Sequence, residues 1–196
     1  AAAQLSRVYL MLKDYANARD AANRVITGSG KSLAANFGSN WFTFINNGGS
    51  TPGEYLFSMK VTAQDGTNAL NTYFGRTIST YPGSAGRSDC KIKAAHFTQY
   101  ETGDKRKDYF VLSGGNYYSL KHLDRFGDVP VVRLSEMYLI KAEARAQAAD
   151  YAGVASALQT IVTARFTTPY TVTAPTTAQA AWKAVLDEYK KQENNV

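Results

Sequence analysis

From Gln4 to Ile26 the residues Leu5, Val8, Leu12, Tyr15, Ala18, Ala22 and Val25 recur at three- and four-residue steps. That is the period of a helix with one face turned to a core. Lys13-Asp14-Tyr15 interrupts the period as a tight turn between helices does, and Gly28 and Gly30 stop the second helix. The pattern predicts a helical hairpin over residues 1–27.

The same text returns at an offset of 136 residues. Asp14-Tyr15-Ala16, then Ala18, Ala22 and Val25-Ile26, matches Asp150-Tyr151-Ala152, then Val154, Leu158 and Ile161-Val162. Small residues also coincide in the preceding helices, Ser6 with Ala142. A small residue where two helices cross, followed by Tyr and Ala where the second helix returns, is the pattern of a tetratricopeptide hairpin. A second hairpin is therefore expected within residues 129–165, its repeat clearest over 134–163. One such hairpin cannot bury its own apolar face, so further helices must stack on each.

Between the repeats the period disappears. Asn36–Gly53 is rich in Asn, Gly and Ser and holds Trp41, Phe42 and Phe44. Glu54–Val61 reads as a short strand from its aromatic and β-branched residues. Thr62–Asp89 reads as a long loop, Lys93–Glu101 as a short helix, Gly103–Asp108 as a charged turn and Tyr117–Leu123 as a second strand. Val129-Pro130-Val131-Val132-Arg133 leads into the second repeat. After it, 166–177 is a Thr- and Pro-rich connector, and Ala178–Asn194 is a last helix with Trp182, Val185 and Tyr189 on one face. The chain is thus expected to be one mostly α domain. It comprises a first hairpin (1–27), a loop-rich insertion containing short β strands (28–128), a second hairpin (129–165), and a connector with a last helix (166–196).

Composition narrows the chemistry. At 196 residues a substantial core forms without staples. Charged residues are only 19%, so polarity rests on Asn, Gln, Ser, Thr and 13 tyrosines. Tyr presents a flat apolar face and a polar tip, which suits sugar or peptide contact as well as core packing. The net charge is +6, but the basic residues are scattered, and the run Lys105-Arg106-Lys107 is flanked by Asp104 and Asp108. The clustered basic face of a nucleic-acid binder is absent. One cysteine, Cys90, excludes an internal disulfide, and two separated histidines, His96 and His122, argue against a zinc site. No apolar run approaches the roughly 20 residues of a membrane span. The chain opens and closes inside helical patterns and reads as a piece of something longer.

The motifs that suggest catalysis have plainer explanations. Gly28-Ser29-Gly30-Lys31-Ser32 imitates the end of a phosphate-binding loop, yet Val25 stands where the first Gly belongs and a helix precedes it. Cys90 with His96 is the one Cys/His pair close in sequence, and such a pair becomes catalytic only through three-dimensional geometry. Glu101 with Asp104 reads as a solvated turn rather than a glycosidase pair. Glu136, Glu143 and Arg145 are expected along a helix face. No cofactor or metal is implied. The better candidates are aromatic residues among amide and guanidinium donors: Tyr73, Phe74 and Tyr81 beside Asn71 and Arg76, and Trp41 beside Asn40. Aromatic rings cover the apolar faces of a sugar or peptide, while the donors read its hydroxyls or carbonyls.

Four passages together resemble the SusD/RagB family of nutrient-binding outer-membrane lipoproteins. Leu10–Ala18 is similar to its repeat turn, Glu54–Ser58 to its central strand, and Tyr100–Arg106 to its aspartate-x-arginine turn. Val129–Ala144 is similar to its signature helix almost throughout. Val185–Glu193 resembles the family's later helix loosely, with Tyr189 where Arg is usual. The resemblance implies a scaffold of tetratricopeptide-like pairs under loop insertions, tethered to the outer membrane by an N-terminal lipid anchor not present in this chain. It implies non-catalytic binding of oligosaccharides, or of peptides in some members, and delivery to a SusC-like TonB-dependent transporter. Two other readings stand beside it: a helical-repeat adaptor that binds only proteins, and a hydrolase whose catalytic residues lie elsewhere.

Overall fold

The computed structural model describes residues 1–34 and 53–193. Trp41, Phe42 and Phe44 lie outside the described residues. In chain order the elements are α1 (Ala2–Met11), α2 (Tyr15–Gly28), β1 (Tyr55–Met59), α3 (Ala69–Phe74), α4 (Ala94–Phe97), β2 (Phe110–Ser113) and β3 (Asn116–Ser119). Then follow β4 (Val129–Arg133), α5 (Leu134–Gln147), α6 (Tyr151–Arg165) and α7 (Ala178–Glu193). The fold is mostly α, with tetratricopeptide-like hairpins and short strands between them. Two compact units emerge: Ala1–Leu33, Gly53–Phe57 and the stretch from Val131 through α7 form the first, and Ser58–Pro130 builds the second.

In the first unit the repeat holds down to the turn. Lys13 and Ala149 both take left-handed backbone, φ 60° and 55°. Asp14 and Asp150, at φ −84° and −82° with ψ 74° in each, cap the following helices by accepting from Asn17 N and Gly153 N. The Asp14 amide bonds Tyr9 O and the Asp150 amide bonds Arg145 O, each at 2.9 Å. The Asp cap satisfies an otherwise orphaned helix N–H and explains why this residue recurs. Ser6 and Ala142 are both fully buried, as a close helix crossing requires. Ser6 lies against Met137 of α5, its hydroxyl 3.4 Å from Sδ.

α2 packs between α1 and α5, and α5 packs on α6 and α7. Ala18, Ala22 and Val25 meet Val132, Met137 and Ile140 in one cluster. Leu139, Ala142, Val154, Leu158, Ile161, Ala181 and Val185 form another, with Trp182 and Tyr189 at its margin. Each fully buried Leu, Ile or Val contributes about 1.5–3 kcal/mol. Arg7 clamps α1 to α5 by donating to both carboxylate oxygens of Glu136 and to Val131 O at 2.6 Å. Glu136 and Glu143 thus serve contacts between helices: the Glu143 carboxyl bonds Tyr189. Arg145 pairs with Asp150 at 2.9 Å.

The expectation for α1 needs correction. Leu5, Val8 and Leu12 are exposed, at 37%, 49% and 71%, while the buried face is centred on Ser6 with Tyr9 and Leu10 packed beside the core. Close approach of α2 and α5 selects the small residue, and the larger aliphatic stripe falls on the other side.

In the second unit β2 and β3 pair antiparallel from Phe110↔Ser119 to Ser113↔Asn116. Gly114 and Gly115, at φ 56° and 74°, make the two-residue turn that only such backbone closes without strain. The expected strand at Tyr117–Leu123 is therefore Asn116–Ser119, with a partner, β2, that the pattern did not announce. The expected loop Thr62–Asp89 also holds α3, capped by the Asn68 side chain at Leu70 N, 2.8 Å. Gly75 and Gly86 touch backbone to backbone, leaving no room for a Cβ on either.

The charged turn Gly103–Asp108 is present, but Asp104, read together with Glu101 as solvated, is not in solvent. Asp104 and Arg106 are buried, 3% and 1% exposed. Asp104 caps a 3₁₀ turn at Lys105–Tyr109 by accepting from Arg106 N. The Arg106 side chain returns to the same carboxylate in a fork, at 2.9 Å from Nε and 2.7 Å from Nη2. A bidentate pair with a capped backbone N–H compensates both charges for the loss of water. Glu101 is exposed.

Candidate functional site

Arg87-Ser88-Asp89-Cys90-Lys91-Ile92-Lys93 organises the surface of the second unit. Arg87, Asp89, Lys91 and Lys93 are exposed, Ser88 and Cys90 are half-buried, and Ile92 is buried. Ser88 takes left-handed backbone, φ 59°, and from Asp89 onward the extended chain turns every second side chain to solvent. Backbone bonds pin the segment: Arg87 N to Thr72 O at 3.0 Å, Cys90 N to Tyr73 O at 3.1 Å, and Ile92 N to Tyr117 O at 2.8 Å. It therefore runs from the end of α3 to the β2–β3 hairpin.

At its first end stands Tyr73, 47% exposed. The Arg87 guanidinium lies 5.3 Å from the centre of the Tyr73 ring. Arg87 also donates to Asp89 Oδ2, at 2.9 Å from Nε. That hydrogen bond, with the carboxylate charge behind it, raises the Arg87 pKa above its ordinary value. With the guanidinium over one face, the exposed remainder of the Tyr73 ring can cover the apolar side of a sugar while the Arg87–Asp89 pair bonds its hydroxyls.

The other predicted residues serve the scaffold around this platform. Asn71 is buried, and its amide donates to Ala85 O at 2.9 Å and His122 O at 2.7 Å. Phe74 sits 5.9 Å from the His122 ring. Arg76 donates to Ser113 Oγ at 2.7 Å and lies 4.5 Å from the centre of the Tyr118 ring, joining the loop to the hairpin. Tyr81 is half-buried in a loop that Ser84 closes by bonding Ile78 at both N and O. Sequence reasoning brought Tyr73 to the surface but missed Arg87, Asp89, Lys91, Lys93 and Tyr117. The polar–apolar alternation of 89–93 was the available signal, and a loop boundary placed at Asp89 cut off its first residue.

At the far end a cleft of about 310 Å³ opens beside Lys91, Lys93, Gly115, Asn116 and Tyr117. The Tyr117 ring stacks on Phe97 with centroids 4.2 Å apart. Phe97 belongs to an aromatic group with Phe110, His96 and Tyr100. Burial, and then the charge of Lys121, push the His96 pKa below its ordinary value. In the first unit, a cleft of about 390 Å³ borders Phe166 and Tyr170. Its main amide, Gln159, is engaged by Tyr170 O and Val172 N. Among the described residues no cluster of His, Cys, Asp and Glu could hold a metal ion, and no helix is long and apolar enough to cross a membrane.

Residues 116–192 match the model of the SusD family. No curated protein matches the chain. Among solved structures, the chain is similar to a SusD-like carbohydrate binding protein from Bacteroides vulgatus, at 19% identity and TM-score 0.76, over 99% of this chain and 42% of that one. It is similar to a SusD superfamily protein from Bacteroides fragilis, at 16% identity and TM-score 0.79, over 99% and 50%. A laminarin binding SusD-like protein matches at 17% identity and TM-score 0.75, over 99% and 51%. The chain thus spans about half the length of these structures.

Proposed function

We propose that this protein binds glycans as nutrients without transforming them, on the premise of the match of residues 116–192 to the SusD family model and of the fold it shares with solved SusD-superfamily structures. The observation that carries this reading is the exposed Tyr73 ring with the Arg87 guanidinium over one face and Asp89 bonded to that guanidinium. Two of the similar structures are of proteins named for binding carbohydrate or laminarin, which supports the ligand class. Tyr81 and the outer part of the 78–84 loop would border the ligand, and Trp41 is a further candidate. Asn71, Phe74 and Arg76 would act from behind by holding the platform.

The reading includes attachment at the outer-membrane surface and delivery to a SusC-like TonB-dependent transporter, as the family resemblance implies. Calorimetry with laminari-oligosaccharides, xylo-oligosaccharides and oligogalacturonate tests the binding step. Saturable binding of at least one of them, weakened by Tyr73→Ala, is the expected result. Undiminished binding in that variant would remove Tyr73 from the site. Co-purification of a β-barrel transporter with the membrane-attached protein tests the delivery step, and purification without one would count against it.

A further inference from the structure

We propose that the cleft at the far end of the 87–93 segment takes an anionic substituent of the glycan, a uronate carboxylate or a sulfate ester. This rests on the glycan-binding reading and narrows its ligand class. Three observations carry it.

Lys91 and Lys93 flank the cleft, and both are exposed. The ion pairs among the described residues involve neither of them. Asp89, the nearest acid along the segment, is held by Arg87 at 2.5 Å. Both line the same cleft two residues apart on an extended stretch, so one anion in the cleft is within reach of both ammonium groups.

Beside the lysines the cleft has the remaining parts of a sugar site. Tyr117 supplies an aromatic wall fixed by its stack on Phe97. Lys107, 5.3 Å from the centre of the Phe97 ring, adds a third cation to that stack. Asn116 donates its amide N–H to Gly114 O, which orients its carbonyl oxygen as an acceptor for a sugar hydroxyl. The volume, about 310 Å³, is at the lower end of the usual range for ligand sites and suits one substituted ring rather than a long chain.

The third observation is continuity. The segment that brings Arg87 to Tyr73 also brings Lys91 and Lys93 to Tyr117, because Cys90 N bonds Tyr73 O and Ile92 N bonds Tyr117 O. A chain lying on Tyr73 would pass Arg87 and reach the lysines along one strip. With the Arg87 charge already met by Asp89, it is the lysines at the far end that favour a polymer carrying negative charge over a neutral one.

The test compares oligogalacturonate with its methyl ester, and dextran sulfate oligosaccharide with dextran, by calorimetry at low and physiological salt. Each pair shares a backbone and differs in charge, and the two pairs separate carboxylate from sulfate. The expected result is at least tenfold tighter binding of one acidic probe over its neutral form, falling with salt. Lys91→Ala/Lys93→Ala should abolish that preference, with the thermal midpoint unchanged, and Lys91→Arg/Lys93→Arg should keep it. Equal binding of acidic and neutral forms overturns the inference while leaving glycan binding intact. So does an acidic preference that survives the double alanine variant. A preference lost in that variant but indifferent to Tyr73→Ala upholds the cleft and removes the Tyr73 site.

Discussion

The carboxylate of Glu54, at the threshold of β1, and the guanidinium of Arg165, at the last turn of α6, meet at 2.6 Å with neither side chain exposed. Arg165 also reaches Gln192 Oε1 at 3.4 Å, Gln192 donates to Glu188 at 3.0 Å, and Arg133 donates to Gln192 O at 2.9 Å. Ends of β1, β4, α6 and α7 are thereby joined by charge inside the first unit. Removing one partner of a buried pair leaves the other charge without water. Arg165→Ala is therefore expected to cost about 3–5 kcal/mol of unfolding free energy. Replacing both residues, as in Glu54→Leu/Arg165→Met, is expected to cost less than the single change. Urea denaturation of the three proteins measures the difference.

Tyr73 and Asn71 sit two residues apart on α3 and should part company when each is truncated. Tyr73 is half in solvent, so Tyr73→Ala should move stability by under about 0.5 kcal/mol. Its loss from a sugar platform should weaken glycan binding by about tenfold, or roughly 1.4 kcal/mol. Asn71→Ala leaves the buried carbonyls of Ala85 and His122 without their donor, and about 1–3 kcal/mol of stability should go with it. Calorimetry and denaturation on the same two variants separate surface contact from scaffold.

The contrast between those two residues also shows what could be read in the sequence. The hairpins were legible because their determinants are local and repeated: Asp14 and Asp150 as caps, Ser6 and Ala142 as crossings. The exposure of Leu5, Val8 and Leu12 was not, because a helix with apolar residues on two sides does not say which side closes on its neighbours. The β2–β3 hairpin carried a local signal in Gly114-Gly115 that the reading passed over. The burial of Asp104 and Arg106 carried none, since charged residues in a run of Lys and Asp read as solvated until their mutual fork is seen. The candidate site depends on long-range placement. Arg87 reaches Tyr73, and Lys91 reaches Tyr117, only through backbone bonds between distant stretches.

Glu143 gives the first unit a pH dependence of definite sign. Burial raises its carboxyl pKa above the ordinary 4.5, and the hydrogen bond with Tyr189 offsets part of that rise. A carboxyl whose folded pKa is raised favours the folded state when protonated. Its contribution is full below 4.5 and is lost as pH rises through the folded value. The difference in unfolding free energy between the parent and Glu143→Gln should therefore shift toward the variant across that window and flatten above it. A constant difference from pH 4 to 7, by denaturant titration, would show that Glu143 titrates alike in the folded and unfolded chain.

The left-handed residue in each hairpin turn offers a route to greater stability. Ala149 sits at φ 55° and Lys13 at φ 60°, in a region where a Cβ costs an L residue about 1–2 kcal/mol. Ala149 is exposed, and its N–H already bonds Ala146 O at 3.1 Å, so glycine keeps every contact except the methyl group. Glycine also has more freedom in the unfolded chain, which returns part of the gain. Ala149→Gly is expected to raise unfolding free energy by about 0.5–1 kcal/mol, and Lys13→Gly by a similar amount. The two turns are far apart in the chain and share no partner, so their effects should add to within about 0.5 kcal/mol. Denaturant midpoints of the two single variants and the double variant test both the sign and the additivity. A loss of stability at Ala149 with a gain at Lys13 would mean that the matching dihedrals hide different strain in the two repeats.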